Sequence, residues 1–205
     1  MGDEIRKSAD HACLFGIAAG QQGHFTARQA AACGFRTDLL TYHTRQGRFT
    51  RVHRGVYRLR DYPSSPREEV VAAWLALGKE RAVVSHASAL DLLDLSDIIP
   101  DAVHLSVPRS RRHLPDLPGV KIHTTSRPFG PSDVIEREGV RLTAVPRTIL
   151  DAAEAGAGPE QIDLAIRQAL DRGLTTRPRL EQEASRRSER LQRLVRTTLA
   201  GVANR

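Results

Sequence analysis

Between Thr26 and Leu59 the chain changes periodicity twice, and each change falls at a glycine. "TARQAAACG" is a helix-favouring run opened by Thr26, a good N-cap residue, and closed by Gly34. "TDLLTYHTRQG" repeats the plan: Thr37 is placed to cap, Leu40 and Thr44 lie one turn apart for a core, and Gly47 stops the helix. "GRFTRVHRGVYRL" then drops to near-alternation, with Phe49, Val52, Val56 and Leu59 available to a core on either side of a turn at "HRG". A loosely periodic stretch from Ser8 to Ala19 supplies a helix ahead of these elements. Helix, helix, short glycine turn, helix and hairpin is the order of a winged helix-turn-helix.

Charge sharpens this reading. The formal net charge is +7, and the segment from Gln21 to Arg60 alone carries eight arginines against one acid, Asp38. The chain's whole excess therefore sits in the predicted winged unit, the electrostatic footprint of nucleic-acid binding. If Leu40 faces inward, then Asp38, Thr41, Tyr42 and Arg45 fall on the outer face of the last helix, with His43 at its margin. Arg48, Arg51, Arg54 and Arg58, with His53 beside them, would project from the hairpin toward phosphates flanking a major groove. The expected DNA-contacting set is Thr26, Arg28, Arg36, Thr37, Thr41, Tyr42, His43, Arg45, Arg48, Arg51, His53, Arg54 and Arg58. A competing use of that charge is to blunt an exposed edge strand, which accounts for the hairpin but not for the helices before it.

"FTARQAAACGF" followed by "QGRFTRVHRGVYRL" resembles the N-terminal winged-helix domain of AbiEi-type antitoxins of type IV toxin–antitoxin systems, "RGVY" being the most specific piece. The similarity continues through "VVSHASALDLLDL", "DAVHLSVPRSRR", "GVKIHTT" and "GVRLTAVPRTILDAA". It implies a repressor that binds inverted repeats in its own promoter and antagonises a nucleotidyltransferase-like toxin encoded beside it. Inverted repeats call for two winged units per site on double-stranded DNA, supplied by a stable dimer or by a monomer or weak dimer that pairs there.

Beyond the break "DYPSSP" at 61–66, the pattern reads as a second domain. Ser65 caps a helix with Pro66 in its first turn, and Val70, Ala73, Trp74 and Leu77 form its apolar stripe. A helix begins near Ser85, "AVHLSVP" and "VKIHTT" alternate as strands, and "VIEREGVRLT" is a hairpin turned at Glu138–Gly139. "PRTILDAAEA", "PEQIDLAIRQALDRG" and the arginine-rich tail from Arg177 close the chain as helices. The expected fold class is α+β: a winged helix-turn-helix domain over 1–62 and a mixed α+β domain over 66–205.

The chemistry expected of this second part is sparse. Ser85 and His86 are adjacent, so on a helix they point in different directions, and capping explains the serine. Asp151 and Glu154 lie a turn apart, a spacing that more often marks a solvated face than a metal pair. His104 and His123 sit on strand candidates that could bring them together across a sheet, and they read as satisfied strand histidines rather than a metal pair. His11, Cys13, His24 and Cys33 match no zinc spacing, so the cysteines are expected as buried free thiols. No glycine-rich phosphate loop occurs. The basic loop at 108–113 and the helix "RRSERLQRLVR" specify no ligand.

No enzyme, metal or cofactor is therefore expected. No apolar run is long enough to span a membrane, and a cytoplasmic protein follows. The leading expectation is a DNA-binding antitoxin and autorepressor. Its alternatives are a toxin-binding module acting by contact alone and a nucleic-acid enzyme whose wing positions substrate.

Overall fold

The structure is a computed structural model and describes residues 8–111, 114 and 116–203. It divides into two compact units, one running to Glu80 with Arg137–Val140 added, the other comprising Arg81–Glu136 and the chain from Arg141 onward. Together they make an α+β protein, with a winged helix-turn-helix unit followed by a mixed α+β unit.

The first unit opens with α1 (His11–Ala19), where the Asp10 carboxylate accepts from the Cys13 N–H at 2.9 Å and closes the first turn. Next come β1 (His24–Thr26), α2 (Ala27–Ala32), α3 (Thr37–Arg45), β2 (Phe49–His53), β3 (Val56–Leu59) and α4 (Glu68–Leu77). Thr26 and Gln29 form a reciprocal capping box at the start of α2. Thr37 differs from expectation: it is the first residue of α3, and the cap position belongs to Arg36, which makes no side-chain capping bond. Ser65 likewise sits ahead of its helix, its hydroxyl accepting from the Arg67 N–H at 3.3 Å, and α4 begins at Glu68.

β1, β3 and β2 form an antiparallel sheet in that order. β1 had no signal in the sequence, because three residues are too few to show alternation. Leu14, Phe25, Phe35, Leu40 and Phe49 make the core under this sheet. Full burial of each such side chain contributes roughly 1.5–3 kcal/mol. α4 packs against all three strands and buries Val70, Val71, Trp74 and Leu77, so the helix after the proline–serine break belongs to the winged unit.

The cysteines are not free. Cys13 and Cys33 are joined in a disulfide with their Cα atoms 5.8 Å apart, because the Asp10 N–H donates to the Cys33 carbonyl at 2.8 Å and draws the start of α1 onto the end of α2. That proximity is created by tertiary docking and is invisible in a spacing of twenty residues.

The second unit is built on a sheet ordered β6-β5-β4-β8-β7, from β4 (Val83–Val84), β5 (Val103–Pro108), β6 (Val120–Thr125), β7 (Val134–Arg137) and β8 (Val140–Thr143). β5 is buried over nearly its whole length and runs parallel to β6 and antiparallel to β4. β7 and β8 turn at Glu138 and Gly139, whose φ values of +52° and +76° are those of a type I′ turn. The helices are α5 (His86–Leu92), α6 (Val145–Glu154), α7 (Pro159–Asp171), α8 (Arg177–Ala184) and α9 (Glu189–Ala203). Buried Leu105, Leu142, Ile149, Ile162 and Ile166 join sheet to helices.

Candidate nucleic-acid interface

α3 presents the outer face expected of it. Thr37, Asp38, Thr41, Tyr42 and Arg45 are exposed, Tyr42 to 53%. The Thr41 hydroxyl donates back to the Thr37 carbonyl at 2.8 Å, which leaves its oxygen lone pairs free to accept. Arg28 on α2 and Arg36 in the turn before α3 are exposed as well. On the hairpin, Arg48, Thr50, Arg51 and Arg54 are exposed and His53 is half-buried. Val52 is an extra residue in the β2–β3 ladder, a bulge between the Arg51–Tyr57 and His53–Val56 pairs. The tip is tied down: the Ala27 N–H donates to the Gly55 carbonyl at 2.9 Å, linking the hairpin turn to the first residue of α2.

Three residues of the expected set are committed elsewhere. His43 lies inside, 5% exposed, its ring centroid 5.0 Å from that of Phe49 and 5.6 Å from that of Phe35. It follows Leu40 by three residues and so shares the inward face. Burial, with His11 and Arg48 nearby, pushes its pKa below the ordinary histidine range and keeps the ring neutral. Arg58 turns away from the hairpin surface to pair with Glu68 at 3.0 Å and to donate to the Tyr62 carbonyl at 2.8 Å. It fastens β3 to the chain entering α4. Thr26 is consumed by its capping box, its oxygen accepting from the Gln29 N–H at 3.2 Å. The basic surface that remains is Arg28, Arg36, Arg45, Arg48, Arg51 and Arg54.

The second unit holds a polar cleft of about 690 Å³ whose lining includes His86, Ser106, His123, Thr125, Arg147 and Arg187. Asp151 and Glu154, expected on a solvated face, both accept from Arg187, at 2.5 and 2.6 Å. Arg147 lies 3.1 Å from Asp133 and 3.4 Å from Asp151. Glu183 receives Arg127 at 2.8 Å and Arg187 at 3.0 Å. Arg127, Arg147 and Arg187 of this cleft are thus matched by carboxylates, as Arg58 is in the winged unit.

Ser85 and His86 do meet, contrary to expectation: His86 Nδ1 is 2.8 Å from Ser85 Oγ, which is 2.7 Å from Ser106 Oγ. His104 and His123 approach across β5 and β6, with Nδ1 and Nε2 at 3.1 Å, and the His86 ring stacks on His123 with centroids 3.6 Å apart. Burial first, then the neighbouring rings, hold His86 down at about 3, and burial with His104 and Lys121 holds His123 at about 4. Within the basic loop 108–113, Arg112 and His113 lie outside the described residues.

Residues 14–60 match the model of a family described as transcriptional regulator, AbiEi antitoxin, so the resemblance read from the winged segment holds over that span. The crystal structure of the RV2827C protein from Mycobacterium tuberculosis shares the fold: TM-score 0.59 at 18% identity, covering 95% of this chain and 79% of that one. No curated protein matches. Among the described residues, no helix is long and apolar enough to cross a membrane.

Proposed function

We propose that this chain is a DNA-binding transcriptional regulator of its own operon, reading inverted repeats with α3 while the β2–β3 wing grips the flanking phosphates. The observation that carries this reading is the set of six exposed arginines on α2, α3, the turn before α3 and the wing, within the very segment that matches the regulator family. A duplex phosphate array is the polymer such a surface complements. Tyr42, Arg45 and Thr41 occupy the face that enters the major groove, where a planar guanidinium can take a guanine edge with two hydrogen bonds. Arg28, Arg36, Arg48, Arg51 and Arg54 take phosphates and set register rather than sequence.

An inverted repeat calls for two winged units, one per half-site. The chain pairs on DNA from a monomer or weak dimer. The family description supports an antitoxin role, and the nucleotidyltransferase-like toxin it would antagonise is implied by the sequence resemblance alone, with no feature of the second unit behind it.

The test is fluorescence anisotropy of the full chain against a duplex from upstream of its gene and a scrambled duplex of equal length, across a salt series. A preference of about 10³ or more at physiological salt, falling steeply as salt rises, is the expected result. Equal affinity for both duplexes would remove the regulatory reading. Absence of binding to either would remove DNA binding altogether and leave toxin contact as the function.

A further inference from the structure

The second unit brings together three histidines that the chain supplies from three different elements: His86 at the start of α5, His104 on β5 and His123 on β6. One ring nitrogen from each falls within 4.8 Å of the others. His86 and His104 are more than nine-tenths buried, while His123 is half-buried beside the cleft.

Register explains the meeting of the last two. In the parallel β5–β6 ladder His104 lies opposite Lys121 and Ser106 opposite His123, so the two histidines are diagonal neighbours on one face. Their facing nitrogens stand 3.1 Å apart. Two ligands each about 2.0–2.1 Å from a tetrahedral ion stand about 3.3 Å apart, so the pair is already spaced for ligation.

His86 reaches them by an unusual backbone. It has φ +54° at the first residue of a helix, a left-handed conformation that costs a side-chain-bearing residue of this kind on the order of 1–3 kcal/mol. No glycine relieves it. The strained turn lays the imidazole against His123, with Ser85 Oγ at Nδ1 to orient the ring.

The outer contacts have the form that supports metal-bound imidazole. Nε2 of His104, buried without a hydrogen-bond partner, faces Asp101 Oδ1 at 3.6 Å, and Lys121 holds the same carboxylate at 2.8 Å. A histidine that ligates through one nitrogen and turns the other to a carboxylate is the usual second layer of such sites.

We propose that His86, His104 and His123 form a three-nitrogen site for a divalent transition-metal ion of the zinc class. The ion replaces the His104–His123 hydrogen bond and parts the stacked rings. Three neutral imidazoles with neither thiolate nor carboxylate suit zinc, cobalt or nickel and disfavour magnesium and calcium, which demand oxygen. A fourth coordination position faces the cleft, open to water or to an oxygen of a bound molecule. The site lies wholly in the second unit and does not depend on DNA binding by the first.

The experiment uses the full chain stripped by a chelator and desalted, titrated with Zn²⁺ against a chromophoric indicator and separately with Co²⁺. One ion per chain is expected, with a ligand-field band of four- or five-coordinate cobalt and no sulfur-to-cobalt charge transfer. Three paramagnetically shifted imidazole signals in the cobalt-loaded native chain count the ligands without any mutation. His123→Gln, on a half-exposed strand position, lowers affinity at least about 100-fold, and Asp101→Asn lowers it about 10- to 100-fold. Absence of saturable binding, a sulfur band that assigns the ion to the cysteines, or undiminished affinity in a folded His123→Gln chain would each overturn the site.

Discussion

Replacing Arg48, Arg51 and Arg54 together by alanine isolates the wing's contribution to DNA binding, because all three are exposed and, among the described residues, none is paired with a carboxylate. Each arginine that neutralises a phosphate adds about 0.9 to the slope of log K against log salt and, at 0.1 M salt, about 0.9 log unit of affinity. Three such contacts amount to a slope reduced by about 2.7 and an affinity loss of roughly 500-fold at that salt. Because phosphates carry no sequence information, the ratio between the promoter duplex and the scrambled duplex stays nearly constant. Arg58→Ala is the matched control. It removes the same charge from the same hairpin, yet Arg58 is occupied by Glu68 and the Tyr62 carbonyl, so it lowers the melting temperature and leaves the salt slope unchanged. Anisotropy titrations from 50 to 400 mM salt, an order-of-magnitude span set by screening, read both quantities. A triple variant with an unaltered slope, or an Arg58 variant that loses as much slope per charge as the wing arginines do, refutes the assignment of these residues to phosphate.

Acid unfolds the winged unit earlier than its carboxylates alone would require. His24 and His43 are both held below the ordinary histidine pKa, chiefly by burial, so the unfolded chain binds protons that the folded unit refuses. Stability is whole above the unfolded histidine pKa near 6.5 and falls below it, by at most about 1.4 kcal/mol per pH unit per ring; His43→Phe flattens the fall in a denaturant titration at pH 7 and pH 5. In the second unit, Arg187→Ala strips a partner from buried Asp151 and Glu183 and costs about 3 kcal/mol by chemical denaturation. A cost under about 0.5 kcal/mol would show the pair to be solvated. Gly23→Ala places a methyl 2.6 Å from the Tyr62 ring at φ +83°, and a loss of about 2 kcal/mol or more is expected in thermal unfolding of the winged unit.

What could be read in advance follows from how local each signal is. The N-cap at Thr26, the glycine stops at Gly34 and Gly47, and the Glu138–Gly139 turn are decided within a few residues, and the structure has them where expected. His43, expected at the margin of the outer face, lies inside because it follows Leu40 by three residues and shares its face. Arg58 looked like its neighbours on the hairpin; only the docking of α4 supplies Glu68 and gives it different work. The disulfide was illegible, and of the histidine cluster only the approach of His104 and His123 across a sheet could be foreseen, not the arrival of His86. Both join residues distant in the chain through sheet register and helix docking. Ser85 and His86 meet because Ser85 is extended ahead of the helix and His86 is left-handed, whereas adjacent side chains diverge only on a regular helix.

The hydrogen bond from Ala27 to Gly55 makes the wing and the start of the helix pair a single lever rather than two jointed parts. A hairpin free to swing would lose that freedom each time it seated on a duplex, and affinity would fall accordingly. Here the distance from wing tip to reading helix is preset, so this unit acts as a rigid caliper. In the proposed mode of binding, a duplex whose grooves are spaced wrongly would be rejected before any base edge is touched, and groove width would become part of what is selected.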